Sequence, residues 1–197
     1  MSKLIYQGHG SLRLESEKGT VIYLDPYAGS GYDVPADMIL VTHQHKDHNC
    51  IDKPAKKTDC VVIQNFDALK RGAYQSFSAN DITIEAVPAY NSNHPKSECV
   101  GYLVTVDKKL IYFAGDTSFI AEMNSLSSRK IDYAFFPADG VFNMNEKEAS
   151  KCARIVGARH ATPIHMLPGR LFSEEKAAAF HADGKLILRP GEEIILE

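Results

Sequence analysis

Residues 41–49, Val-Thr-His-Gln-His-Lys-Asp-His-Asn, constrain this chain more than any other stretch. Three imidazoles and one carboxylate fall within the six residues 43–48, directly after the apolar run 38–41. A short apolar run of this kind is typical of a buried strand. The cluster is therefore expected at the carboxyl end of a strand, which is where open sheets carry their functional sites.

The spacing within this cluster predicts two metal positions. If the chain stays extended past residue 41, His43 and His45 project to the same side, and both rings can reach one ion. If the backbone then turns at Lys46, the side chains of Asp47 and His48 point in another direction and suit a second ion. Imidazole nitrogen with carboxylate oxygen suits zinc, iron, manganese or nickel better than calcium. The alternative is a solvated, structureless loop rich in histidine.

The pattern His-x-His-x-Asp-His after a strand resembles the HxHxDH signature of the metallo-β-lactamase fold superfamily, and all four of its liganding positions are filled here. Members of that superfamily take three more ligands from distant parts of the chain. The candidates, in the order that the family requires, are His94 in a loop, Asp116 after Gly115, and His165 at a strand end.

The resemblance covers nearly the whole chain and implies one hydrolase domain, residues 1–197, with an α/β (α+β) fold in the form of a four-layer αββα sandwich. It also implies two divalent transition-metal ions, bridged by a water or hydroxide that acts as the nucleophile. Zinc is the first expectation, with manganese, iron or nickel as alternatives. The implied ligands are His43, His45 and His94 for the first ion, Asp47, His48 and His165 for the second, and Asp116 between them.

Such a site implies a metal-dependent hydrolase for a small ester, lactone or phosphoester. Asp47 and Asp116 are the candidate catalytic groups, since either carboxylate can accept or relay a proton. Antibiotic hydrolysis does not fit, because true β-lactamases of this fold carry a cysteine where Asp116 stands. The competing function is a non-catalytic metal-binding module used for sensing or assembly.

Two short elements near the N-terminus resemble one branch of the superfamily, the compact predicted zinc hydrolases that include ascorbate-phosphate lactonase. These elements are residues 8–11, Gly-His-Gly-Ser, and residues 25–27, Asp-Pro-Tyr. Asp25 is a candidate for orienting a metal-binding ring. The candidate substrate contacts are His9, Tyr27 and Arg170. The alternative for His9 is a plain turn position, and the alternative for Tyr27 and Arg170 is a position on the surface.

Composition narrows the partners. With 197 residues, 44% of them apolar, the chain is predicted to form one globular domain, and a net charge of −3 gives no reason to expect general nucleic-acid binding. Four scattered cysteines and the lack of an apolar run near ~20 residues predict a reduced, cytoplasmic protein without a membrane span. We expect a small-molecule substrate, and the oligomeric state stays open.

Periodicity and turn residues predict the remaining elements. The run 60–63 reads as a second buried strand, followed by a helix over 66–71 that Gly72 ends. A helix over 146–156 is expected to begin at a capping box and to end at Gly157. Residues 185–196 predict a terminal hairpin.

Overall fold

The computed structural model describes residues 1–197 and contains fourteen strands and four α-helices. The strands are β1 (Lys3–Gly8), β2 (Ser11–Glu15), β3 (Val21–Leu24), β4 (Ala36–Leu40), β5 (Lys56–Ile63), β6 (Leu69–Lys70), β7 (Ala73–Tyr74), β8 (Ser76–Ala79), β9 (Ile82–Pro88), β10 (Val100–Val106), β11 (Lys109–Phe113), β12 (Tyr133–Pro137), β13 (His160–Ile164) and β14 (Glu193–Ile195). The helices are α1 (Asn65–Ala68), α2 (Met123–Leu126), α3 (Glu146–Val156) and α4 (Glu174–Ala179). None of them has the length and apolar composition that crossing a bilayer requires.

Twelve of the strands form two six-stranded mixed sheets. The first sheet has the order β14-β1-β2-β3-β4-β5, and the second has the order β13-β12-β11-β10-β9-β8. Strands β1 to β3 form an antiparallel meander. In contrast, β3, β4 and β5 pair in parallel, and so do β11, β12 and β13. The strands of each parallel set therefore have their carboxyl ends on the same side of the sheet. Functional residues collect at this side of an open sheet.

The inner faces of the two sheets form the main core, a cluster of 25 buried residues. Alternate residues supply it, such as Leu4 and Tyr6 in β1 and Tyr102 and Val104 in β10. This is the period of two that a strand imposes on its side chains. Each large side chain buried in this way contributes roughly 1.5–3 kcal/mol. The layer between the sheets is thus the main source of stability.

The outer faces of the two sheets are covered differently. Helix α3 packs Ala149, Cys152 and Val156 against the second sheet. The first sheet is covered by loop residues 26–35 and 49–55, from which Tyr32 stacks on Tyr23 of β3 with the ring centroids 5.6 Å apart. The predicted sandwich of two sheets is confirmed, and loops replace helices in one of its outer layers.

Helix α3 also confirms its predicted ends. The Asn145 side chain accepts hydrogen bonds from the backbone N–H groups of Lys147 and Glu148, and Gly157 ends the helix at φ 65°. The capping box is incomplete, because the Glu148 carboxylate accepts from the backbone N–H of Phe119 instead. The cap therefore ties this helix to the chain after β11.

Two predictions between residues 56 and 74 were wrong. The helix over 66–71 ends at Ala68, since Arg71 and Gly72 both adopt left-handed backbone conformations, φ 53° and 78°, and turn the chain into the β6–β7 hairpin. Residues 60–63 are not a buried strand but half of β5, which lies at the edge of the first sheet and is largely exposed.

The predicted terminal hairpin over 185–196 does not form. Strand β14 pairs with β1 of the first sheet, whereas Lys185 bridges to Ala161 of β13 in the second. Leu188 and Leu196 both reach the main core. Burial of these two side chains favours separate pairings over a local hairpin, so the C-terminal segment joins the two sheets.

Direct hydrogen bonds also join the sheets at the edge where the parallel strands end. The backbone N–H of Val100 donates to the carbonyl of Thr42 at 3.0 Å, and the N–H of His165 donates to the carbonyl of His9 at 2.8 Å. Gly115 fits into this contact at φ +64°. A Cβ at position 115 would lie 2.8 Å from the Val100 carbonyl oxygen. The approach therefore requires a glycine.

We predict that Gly115→Ala lowers the free energy of unfolding by about 3 kcal/mol, because the variant adds a clash to the cost of a left-handed alanine. Gly157→Ala is the matched control, since Gly157 has φ +65° and its added Cβ would meet nothing closer than 4.0 Å. It should lose only about 1 kcal/mol. Urea denaturation of both metal-free variants measures the difference, and equal losses would contradict a tight junction.

Candidate metal centre

All seven predicted donor side chains converge at the edge where the two sheets meet. Five of them are buried, Asp47 is partly exposed and His45 is exposed. They come from both sheets: His43, His45, Asp47 and His48 follow β4, His94 lies in the loop after β9, Asp116 follows β11, and His165 follows β13.

The donor atoms form two main groups, which overlap because His43 also clusters with Asp25 and His48. In the first group, His43, His45 and His94 each place a donor atom within 4.8 Å of the others. The second group consists of Asp47, His48 and His165, joined by His9, with donor atoms inside the same limit. The two groups correspond to the two predicted metal positions, whose occupation stays a prediction.

Asp116 lies between the two groups. Its Oδ2 is 3.2 Å from Nε2 of His94 and 3.6 Å from Nε2 of His165. Its Oδ1 is 3.5 Å from Nε2 of His48. One carboxylate thus reaches donors of both groups.

These donors fit transition-metal ions. Two ligands that are each about 2.1 Å from a tetrahedral ion lie about 3.4 Å apart, which is close to the Asp116 distances. The Nε2 atoms of His48, His94 and His165 are buried and have no hydrogen-bond partner. A buried polar atom without a partner is unfavourable by roughly 1–3 kcal/mol. Bound cations would satisfy these nitrogens, one ion at His94 and another at His48 and His165.

The other ring nitrogen of each of these histidines faces an oxygen of a neighbouring side chain. Nδ1 of His48 lies 2.7 Å from Oδ2 of Asp25, and Nδ1 of His94 lies 3.0 Å from Oδ1 of Asn91. Nδ1 of His165 lies 3.1 Å from Oδ2 of Asp139. Contacts of this kind orient a ring so that its free nitrogen can bind a metal. The contact made by Asp25 is the one expected for its predicted role.

Asp139 was not among the residues selected from the sequence. It is buried after β12, and its Oδ1 accepts the backbone N–H groups of Val141, Phe142 and Asn143. Burial alone would raise its pKa, but His165 and these N–H groups lower the pKa to about 2. The signal in the sequence was an aspartate two residues after β12, the strand that pairs in parallel with β13.

Protonation divides the donors in the cluster. His43 and Asp116 have the forms that bind metals, whereas His48 and His165 must each release a proton, because burial alone would lower their pKa but the charge of Asp116 raises it. Burial, reinforced by the charge of His48, lowers the pKa of His43 to about 2, so that its ring is neutral. Burial alone would raise the pKa of Asp116, but the charges of His48 and His165 hold it well below its usual range. Neutral imidazole and ionised carboxylate are the forms that bind metals.

The predicted substrate contacts lie on the side of the second group. His9 is fully buried, with Nε2 3.0 Å from Oδ2 of Asp47 and Nδ1 2.9 Å from the carbonyl oxygen of Arg170. Both of its ring nitrogens are thus engaged within the protein, which places His9 as a support for Asp47 rather than as a substrate contact. The Tyr27 ring lies 5.3 Å from the His9 ring. The Arg170 side chain is exposed.

A cavity of about 110 Å³ opens beside the first group of donors. Apart from the histidines, its lining is mainly polar and carries no lysine or arginine. Asn65 is fixed there, because its Nδ2 donates to the carbonyl of Glu98 at 2.7 Å and its Oδ1 accepts from Nε2 of Gln44 at 2.7 Å. This cavity suits an uncharged polar group.

Known proteins that are similar to this chain include metal-dependent hydrolases. The family model described as "Beta-lactamase superfamily domain" matches residues 3–165. A UPF0173 metal-dependent hydrolase of Pyrococcus furiosus is 30% identical over the whole of both chains, and one of Geobacillus is 29% identical over 98% of this chain and all of its own. A solved structure of a candidate metal-dependent hydrolase from Parabacteroides distasonis has a TM-score of 0.75 and 30% identity, covering 94% of this chain and 90% of that one. The metallo hydrolase Igni18 of Ignicoccus hospitalis shares the fold, with a TM-score of 0.74 and 20% identity over 98% of each chain.

We predict that Asp25→Asn weakens the binding of one metal ion by about 10-fold to 100-fold, because the amide keeps the shape but loses the charge that holds His48. Metal competition against a chromogenic chelator measures the two affinities. Asp52→Asn is the control, since the Asp52 side chain is 96% exposed. Wild-type affinity for both ions in Asp25→Asn would contradict the orienting role.

Proposed function

We propose a two-metal hydrolytic mechanism for this chain, which belongs to the β-lactamase superfamily and is a metal-dependent hydrolase. The substrate class that we propose is a small ester, lactone or phosphoester. One observation carries the proposal: seven donor side chains from both sheets converge, with Asp116 within 3.6 Å of histidines from both groups. We also propose that residues 1–197 form a single domain, since one core is built from both sheets.

The ligand sets follow the two groups of donor atoms. His43, His45 and His94 would hold the first ion, and Asp47, His48 and His165 would hold the second. Asp116 would contact both, since a carboxylate offers two oxygens. Mixed imidazole and carboxylate donors favour zinc, with manganese, iron or nickel as alternatives. When bound, such ions act as Lewis acids on the scissile group and make water nucleophilic at neutral pH.

The two carboxylates have different parts in moving the proton. Asp116 is 4% exposed and enclosed by histidines, so it is suited to holding charge in place. The Asp47 side chain is 33% exposed, and it is the carboxylate that solvent reaches. Burial would raise its pKa, but the imidazoles of His165 and His9 beside it hold the pKa well below its usual range. We therefore assign Asp47 to relaying a proton towards solvent rather than retaining it.

The alternative, a non-catalytic module for sensing or assembly, is less consistent with the relatives, which are named as metal-dependent hydrolases. It is also less consistent with the cavity beside the first group of donors, because a metal site with a purely structural role is usually closed.

We predict that the metal-loaded protein hydrolyses at least one of four classes: carboxylic esters, lactones, phosphomonoesters and phosphodiesters. A chelator should abolish the rate, and added metal should restore it. Asp116→Asn should lower kcat on the order of 100-fold, because a buried charge at the reacting centre is lost.

Asp52→Asn is again the control and should retain the wild-type rate, with metal content measured for every sample. Near wild-type kcat in Asp116→Asn would show that this residue does not join the two ions. If no class is hydrolysed, the binding module becomes the better account.

A further inference from the structure

We propose that an apolar rim, formed by Val141, Phe142 and Leu171, binds the apolar part of the substrate. The preferred substrates are then carboxylic esters or lactones that carry an apolar chain or ring. This inference rests on the hydrolase function proposed above and narrows its substrate class.

The rim contains much of the exposed apolar surface of the molecule. Six large apolar side chains in the whole chain are exposed, and three of them are Val141 at 60%, Phe142 at 49% and Leu171 at 36%. These three lie in the loops that follow Asp139 and Arg170, which support His165 and His9. Because both loops are joined to histidines of the site, these exposed apolar groups lie near the reactive centre and are available to a bound substrate.

Hydrogen bonds fix both loops. One oxygen of Asp139 accepts three consecutive backbone N–H groups, from Val141 to Asn143. The carbonyl of Phe142 accepts from the side chains of Asn91 and Asn93, at 3.0 Å each. The loop that carries Val141 and Phe142 is therefore hydrogen-bonded to Asp139, which contacts His165, and to Asn91, which contacts His94.

Leu171 is fixed by the same means. Its carbonyl accepts the N–H of His9 at 2.7 Å and the hydroxyl of Tyr6 at 3.0 Å. Its side chain packs so closely on Gly8 that a Cβ there would lie 3.1 Å away. A fixed loop and a packed side chain lose less conformational entropy when they bind a ligand.

The cavity beside the first group of donors, which Asn93 joins to the carbonyl of Phe142, has the complementary character. The cavity beside His43, His45 and His94 is lined by side-chain amides and by Glu98, an exposed carboxylate, and by no cationic side chain. An uncharged oxygen-bearing group can hydrogen-bond to the amides there. An ester or lactone with a polar end in this cavity and an apolar end on the rim matches both surfaces.

The test uses 4-nitrophenyl esters of acetate, butyrate, hexanoate and octanoate with metal-loaded protein. We expect kcat/KM to rise about twofold for each added methylene in the wild type. The octanoate-to-acetate ratio should fall towards one in Val141→Ser/Phe142→Ser. Val61→Ser is the matched control, because Val61 is 46% exposed on edge strand β5 and should keep the wild-type ratio.

A binding measurement separates this inference from the proposed function. In methyl-labelled protein, octanoate should shift the signals of Val141 and Leu171, and acetate should not, whether or not any ester is hydrolysed. If the wild type hydrolyses esters but the double variant keeps the chain-length ratio, the rim assignment is wrong. A second contradicting result is a wild-type dimer that the double variant turns into a monomer while the octanoate-to-acetate ratio stays the same. The rim would then be an interface between two copies of this chain.

Discussion

The meeting of the two sheets at one edge is the constraint on which the site depends. Donors from the first sheet follow β4, and donors from the second follow β9, β11 and β13. They can share ions only if the two edges stay within a few ångströms, and the bonds from Val100 to Thr42 and from His165 to His9 provide that approach. Gly115 permits it, because its position has no room for a side chain. Metal binding therefore requires the same close packing of the two sheets that Gly115 permits.

The same edge concentrates buried charge, which is unfavourable without partners. Asp25 and Asp139 are both buried, and each offsets the cost of burying its charge by lying against Nδ1 of a histidine, His48 or His165. The Nε2 atoms of these two histidines have no hydrogen-bond partner. Metal ions would complete this network, so their binding energy also stabilises the fold. We therefore expect the free energy of unfolding to be higher with bound metal than without it, although the core is large.

Local signals in the sequence predicted a large part of this arrangement. The histidine cluster after an apolar strand, and helix α3 between Asn145 and Gly157, depend on neighbouring residues and were read correctly. Family resemblance placed His94, Asp116 and His165 in order, and the structure brings them together, although their metal-binding role stays a prediction. Pairings that depend on distant residues were missed. Strand β14 leaves its expected hairpin partner for β1, and His9 lies beside Asp47 and hydrogen-bonds to His165, which follows β13.

The central claim is that two ions share Asp116, and anomalous X-ray diffraction from crystals of metal-loaded protein tests it most directly. Data collected on both sides of the metal absorption edge should give two peaks about 3.5–4 Å apart. One peak should lie against His43, His45 and His94, the other against Asp47, His48 and His165, with the Asp116 carboxylate in contact with both. A single peak under saturating metal, or a second peak that Asp116 does not touch, would contradict the account.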